Sequence, residues 1–153
     1  MDKKRIIGLL IVIIIGVVAI SGCINETDEN LIINGVKLNV PNGYEVDSID
    51  SDHNGVLFTS LNGSDERIIV VKFNESDEDV FAGIEPTKIG NYKAKIRMIQ
   101  NDDNKTFSVG YLLEYQDKKF EIIHENVEVV GESSDGKMTT SANINIIKEI
   151  FNI

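Results

Sequence analysis

Residues 93–115 alternate in polarity with a period of two, and this pattern constrains the fold more than any other feature of the chain. Ala94, Ile96 and Met98 alternate with Lys93, Lys95 and Arg97, giving one apolar and one wet face. Successive side chains of a strand point to opposite faces, so a half-buried strand reads this way. Beyond a polar turn at Asn101, Asp102, Asp103 and Asn104, the residues Phe107, Val109, Tyr111, Leu113 and Tyr115 share the inner face of the next run. Residues 116–119 then lead into a third run at 120–124. Three such runs joined by short polar turns predict an antiparallel meander.

Upstream, Val36, Leu38 and Val40 alternate with Lys37 and Asn39 until Pro41-Asn42-Gly43, a turn signal. A second run at 56–61 stops at Asn62-Gly63. Residues 68–73 are apolar on both parities, which predicts an interior strand covered on both faces. Residues 77–84 open with acids and predict one or two helical turns. Val127, Val129 and Val130 predict a short strand, and residues 131–137 an exposed loop. The period then changes. Ile144, Ile147 and Phe151, flanked by Ile146, Ile150 and Ile153, follow helical spacing, with Thr140 or Ser141 as the cap. The expected class is α+β: an antiparallel sheet of about six strands with a C-terminal amphipathic helix packed on one face.

The first 24 residues follow a different logic. Lys3-Lys4-Arg5 precedes an apolar run at 6–20, and Ile20-Ser21-Gly22-Cys23 follows it. A basic n-region, a compact apolar segment and small residues at its end form the layout of a secretory signal. Cys23 is the only cysteine, so no intramolecular disulfide supports the fold. The tetrapeptide resembles the lipobox of prokaryotic lipoproteins. That resemblance implies cleavage between Gly22 and Cys23 and a lipid on the Cys23 thiol, hence a domain on the extracytoplasmic face of the cell membrane. It divides the chain into a signal peptide (1–22), a lipid-anchored tether (23–30) and a single domain (31–153). The competing reading keeps residues 6–24 as an uncleaved transmembrane anchor, nearly the twenty or so residues a spanning helix requires. Both place the domain outside, because the positive charges stay inside.

Without residues 1–22 the chain retains 24 acidic and 12 basic residues, a net charge of −12. That sign repels phosphate backbones, and no basic stripe with interleaved aromatics is present, so nucleic-acid binding is not expected. The partners expected are the membrane, through the anchor, and an envelope protein or small ligand.

A second resemblance spans residues 31–153. Val40-Pro41-Asn42-Gly43-Tyr44 resembles the opening of PsbP-like and DcrB-like domains, with Tyr44 standing where those domains usually carry Trp. The segment Ile147-Lys148-Glu149-Ile150-Phe151-Asn152-Ile153 is similar to their closing helix and tail. Members are mostly noncatalytic accessory or envelope proteins, so the resemblance implies a binding or accessory role and transfers no catalytic residue. No cofactor is expected.

Other candidate chemistry is sparse. Asp50, Asp52 and Asn54, with Gly55, match the opening of a calcium loop, but Leu61 occupies the position where a bidentate acid should close it. A second acidic patch holds Glu75, Asp77, Glu78 and Asp79. The two histidines, His53 and His124, do not supply a zinc ligand set. His124 beside Glu125 reads as a partly exposed strand-end histidine, with a general base as the sharper alternative. A small cell-surface hydrolase would need His124, or a pair such as Glu114 and Glu121, in a cleft. Gly131-Glu132-Ser133-Ser134-Asp135-Gly136 misses the nucleophile-elbow pattern. Four sequons begin at Asn25, Asn62, Asn74 and Asn104, in segments read as tether or turn. Phe107 and Tyr111 are expected in the core, while Tyr44, Tyr111 and Tyr115 are the candidates for lining a groove.

Overall fold

The computed structural model describes residues 31–75, 80–100, 106–132, 138–140 and 144–153. A small hairpin, β1 (Ile32–Ile33) and β2 (Val36–Lys37), precedes the main sheet. The main sheet runs β3 (Tyr44–Ile49), β4 (Gly55–Ser60), β5 (Arg67–Lys72), β9 (Lys118–Glu132), β8 (Thr106–Tyr115), β7 (Tyr92–Gln100) and β6 (Thr87–Ile89), all antiparallel neighbours. A short β10 (Met138–Thr140) pairs with the far end of β9. One helix, α1 (Ile144–Phe151), closes the chain. The class is α+β, and the β7–β8–β9 meander lies where the alternation put it.

Alternation explains which face is buried. Phe58, Ile68, Val70, Phe120, Ile122 and Leu113 sit on one face and are fully or almost fully buried. Helix α1 covers that face with Ile147, Ile150 and Phe151, each essentially inaccessible. The Phe151 ring meets Phe120 at 5.2 Å and Tyr115 at 5.3 Å, both edge-on. Asn152, at φ 53°, ends the helix in the left-handed conformation, and the Ile153 amide donates back to the Lys148 carbonyl at 3.0 Å. This is a Schellman-type stop with Asn in place of the usual Gly. The segment before β3 is fastened to the same helix. The Asn39 amide donates to the Ile150 carbonyl at 2.8 Å, and the Asn42 amide to Glu149 Oε2 at 3.0 Å.

The opposite face is wetter. A small cluster of Phe73, Phe81 and Leu112 covers part of it. Arg97 lies across β8 there: its guanidinium stands 5.0 Å from the Phe81 ring and 3.3 Å from Glu121. Gly110 provides the room, since a Cβ on it would stand 2.8 Å from Arg97 Nε and 3.1 Å from Cγ. Gly110→Val should therefore displace Arg97 and cost about 1–3 kcal/mol, the usual range for overpacking. Urea unfolding midpoints check this, and in an Arg97→Ala background most of the penalty should vanish.

Several expectations need correction. The main sheet has seven strands along its path plus β10, rather than about six strands. The predicted run through Val40 is short, because the chain folds back at Asn34-Gly35 and Val36–Lys37 pairs with Ile32–Ile33 instead. Strand β5 lies inside the sheet, but only Ile68 and Val70 are buried; Ile69 and Val71 are half-buried, so its second face is not fully covered. Strand β9 does not stop at His124. It continues to Glu132, so Gly131 and Glu132 belong to a strand and not to a loop. Thr140 lies in β10 and is not the helix cap. Ser141, most of the acidic patch after Glu75, and residues 133–137 lie outside the described residues.

A cleft backed by Tyr44, Glu66 and His124

The site grows from an irregularity in β9. Phe120, Ile122 and His124 face the core at two-residue intervals, yet the next core residue is Val127, three positions on. The β8–β9 register shifts at this point, and Asn126 has φ 58°. An extra residue in one strand of an antiparallel pair is a β-bulge, which re-aims the side chains beside it. Here it lets Asn126 Nδ2 donate to the Asp65 carbonyl at 2.9 Å, which ties β9 to the β4–β5 turn. That turn is itself held by its own side chains. Asn62 Oδ1 accepts from the Ser64 amide and the Ser60 hydroxyl, both at 2.8 Å, and the Glu66 amide donates to Ser64 Oγ at 3.4 Å.

Glu66 emerges from this turn with one carboxylate oxygen directed at the protein. The Tyr44 hydroxyl donates to Glu66 Oε2 at 3.0 Å. Behind it, His124 Nε2 lies 3.3 Å from Tyr44 Oη and 3.7 Å from Glu66 Oε2. Because the phenol hydrogen is committed to Glu66, Nε2 must carry the hydrogen that reaches Tyr44 Oη. The bond pattern thus places a hydrogen on Nε2.

His124 is only 3% exposed, wedged between Ile68 on β5 and Val109 on β8. Burial lowers its pKa below the ordinary histidine value; the charge of Glu66 and its hydrogen bond act the other way and are the smaller influences. Burial also raises the Tyr44 pKa, with the hydrogen bond and charge of Glu66 adding to it, so the phenol keeps its proton. Tyr111, deeper in the same face, is pushed up to about 12 by burial.

Glu66 lines a cleft of about 840 Å³, together with Thr59, Asp65, Arg67, Thr106 and Asn126 among others. Arg67 is held at 2.7 Å by Glu125, its neighbour across the β5–β9 pair.

The residues singled out from the sequence fall in several places. His124 is buried in the middle of a strand, which corrects the reading of a partly exposed strand-end residue. The hydrolase reading needed it in a cleft; its Nε2 instead faces Tyr44, and Glu66 stands between it and the cleft. Glu125 does not accompany it, because adjacent strand residues face opposite sides. Glu114 and Glu121 share a sheet face, but Glu121 is engaged by Arg97 and Glu114 is exposed. Asp50 and Asn54 belong to the β3–β4 turn, where the His53 amide donates to the Asp50 carbonyl at 2.9 Å. Together with Asn74 and Glu121 they line a smaller cleft of about 450 Å³. Asp52 is exposed on that turn, and Leu61, 61% exposed, lies in the next one. Among the described residues no group of three or more His, Cys, Asp or Glu is placed to share a metal ion.

Of the sequons, Asn62 and Asn74 are exposed, and Asn25 and Asn104 lie outside the described residues, as does Cys23. Phe107 and Tyr111 are buried in the core. Tyr115 packs between Tyr92 and Phe151, far along the sheet from Tyr44, so the three candidate tyrosines do not form one groove. Glu66 was not singled out. Its sequence neighbourhood, a charged residue after a Gly-Ser turn, carries no signal of the partners that β3 and β9 bring to it.

Comparison with known proteins adds little. No family model and no curated protein matches the chain. A solved structure from Bacteroides thetaiotaomicron is similar over 74% of this chain and 41% of its own, at 12% identity and a TM-score of 0.43. The chain therefore spans less than half the length of that neighbour.

Proposed function

We propose that the protein is a membrane-anchored lipoprotein whose single domain is a noncatalytic binding module, displayed on the extracytoplasmic side and built on a PsbP-like plan. The observation that carries the binding role is the support of Glu66. A carboxylate at a cleft wall, held from behind by a half-buried tyrosine and a buried histidine, is a preorganised recognition group, because its own partners keep it in one geometry. Anchoring rests on Ile20-Ser21-Gly22-Cys23 and the apolar run before it. The PsbP-like label draws on Val40-Pro41-Asn42-Gly43-Tyr44 and the closing helix, two segments that are hydrogen-bonded to each other through Asn39, Asn42, Glu149 and Ile150.

Two acyl chains give stable membrane attachment, whereas one gives only marginal binding. Cys23→Ala should therefore abolish lipid labelling and leave an uncleaved precursor of higher apparent mass. A variant unchanged in both labelling and size would remove the lipoprotein reading in favour of a retained transmembrane anchor.

A further inference from the structure

We infer that the cleft beside Glu66 takes an organic cation, a ligand presenting a primary ammonium group, with Glu66 as its anchor. The inference rests on the binding-module reading and assigns it a ligand class. Glu66 uses Oε2 for Tyr44, while Oε1 has no partner among the described residues. The carboxylate therefore has an acceptor to spare and a fixed direction in which to offer it.

Charge selects the ligand next. Among the described lining residues, Arg67 is the cation, and Glu125 already holds it at 2.7 Å. Asp65 and Glu66 are left without an ionic partner there, apart from the neutral His124 behind Glu66. Among the described lining residues an anion would find no uncommitted positive group, and concave acidic walls concentrate cations. A bare metal ion fits poorly: about 840 Å³ lies in the range of small-molecule sites, and no described group of three or more His, Cys, Asp or Glu converges there. A neutral sugar would want an aromatic platform. None of the described lining residues is aromatic, and Tyr44, behind Glu66, has its ring edge-on to His124 at 6.4 Å. An ammonium group, with three donors, matches what remains: one carboxylate oxygen held ready and a second carboxylate nearby.

The test uses the full chain, isotope-labelled in detergent micelles, titrated with cadaverine while backbone amide shifts are followed. The expected result is saturable shifts at Glu66, Arg67, Thr106 and Asn126. Glu66→Gln should weaken the apparent affinity at least tenfold, because the neutral amide keeps a bond to Tyr44 but loses the charge. Asp52→Asn, which removes one exposed acid from the distant β3–β4 turn, should leave affinity within twofold and so separates anchoring from net charge. Tyr44→Phe should weaken binding severalfold by loosening Glu66. The inference is overturned if cadaverine leaves those amides unmoved, if Glu66→Gln binds as tightly as the parent, or if 1,5-pentanediol produces the same shifts. In the last case the cleft is still a binding site and only the ligand class fails, whereas the membrane anchor is tested separately by Cys23→Ala.

Discussion

Phe151→Ala should destabilise the domain by about 3–5 kcal/mol, the range for removing a large aromatic side chain from a packed core. Phe151 is 1% exposed and is the last residue of the eight-residue α1. Eight residues are too few for a helix to persist in water without tertiary support. Its ring contacts with Phe120 and Tyr115 are thus part of what makes the helix a helix. Those contacts also hold down the segment at Asn39 and Asn42, whose amides bond to Ile150 and Glu149. Loss of the ring should lower both the urea midpoint and the far-ultraviolet helical signal. Ile153→Ala, at a half-buried position beyond the helix, should cost distinctly less. Equal costs for the two would mean that the helix is not docked through Phe151.

The second large effect is one of pH. His124 titrates near 6.5 in the unfolded chain, and burial holds it lower in the fold. Above about pH 7 both states are neutral at this site, and it contributes nothing to the pH dependence. As pH falls below about 6.5 the unfolded chain binds a proton that the native protein resists, so stability falls by up to about 1.4 kcal/mol per pH unit until the folded pKa is reached. His124→Gln keeps an amide donor for Tyr44 and removes the titration. It should flatten the stability profile between about pH 5 and 7. The imidazole resonances of His124 provide a direct readout: they should keep their neutral-state positions well below the ordinary histidine pKa. Equal slopes for parent and variant, or His124 resonances that titrate at the ordinary histidine value, would contradict the buried neutral assignment.

The sheet was largely readable because its chemistry is local. Ala94, Ile96 and Met98 against Lys93, Lys95 and Arg97 state a face at every second residue, and β7 has that face. The helix was equally readable, since Ile147, Ile150 and Phe151 follow its period. The hairpin at Asn34-Gly35 was not. There the run from Val36 to Val40 has the right alternation, but two-residue turn geometry and long-range bonds to α1 decide the outcome. The cleft was the least legible part. Tyr44, Glu66 and His124 come from three strand regions, and nothing local links residue 44 to residues 66 and 124. One signal did exist: Ile122 and His124 hold one parity and Val127 the other, a slip that announces a bulge at Asn126.

That bulge also acts as a registration mark. A regular strand can slide against its neighbour by two residues and present a similar apolar face. A strand carrying one out-of-phase residue has a single alignment in which both of its halves face the core. Cleft and core are consequently indexed to the same residue, so Glu66 and its two supporting side chains keep their spacing for as long as β9 stays paired.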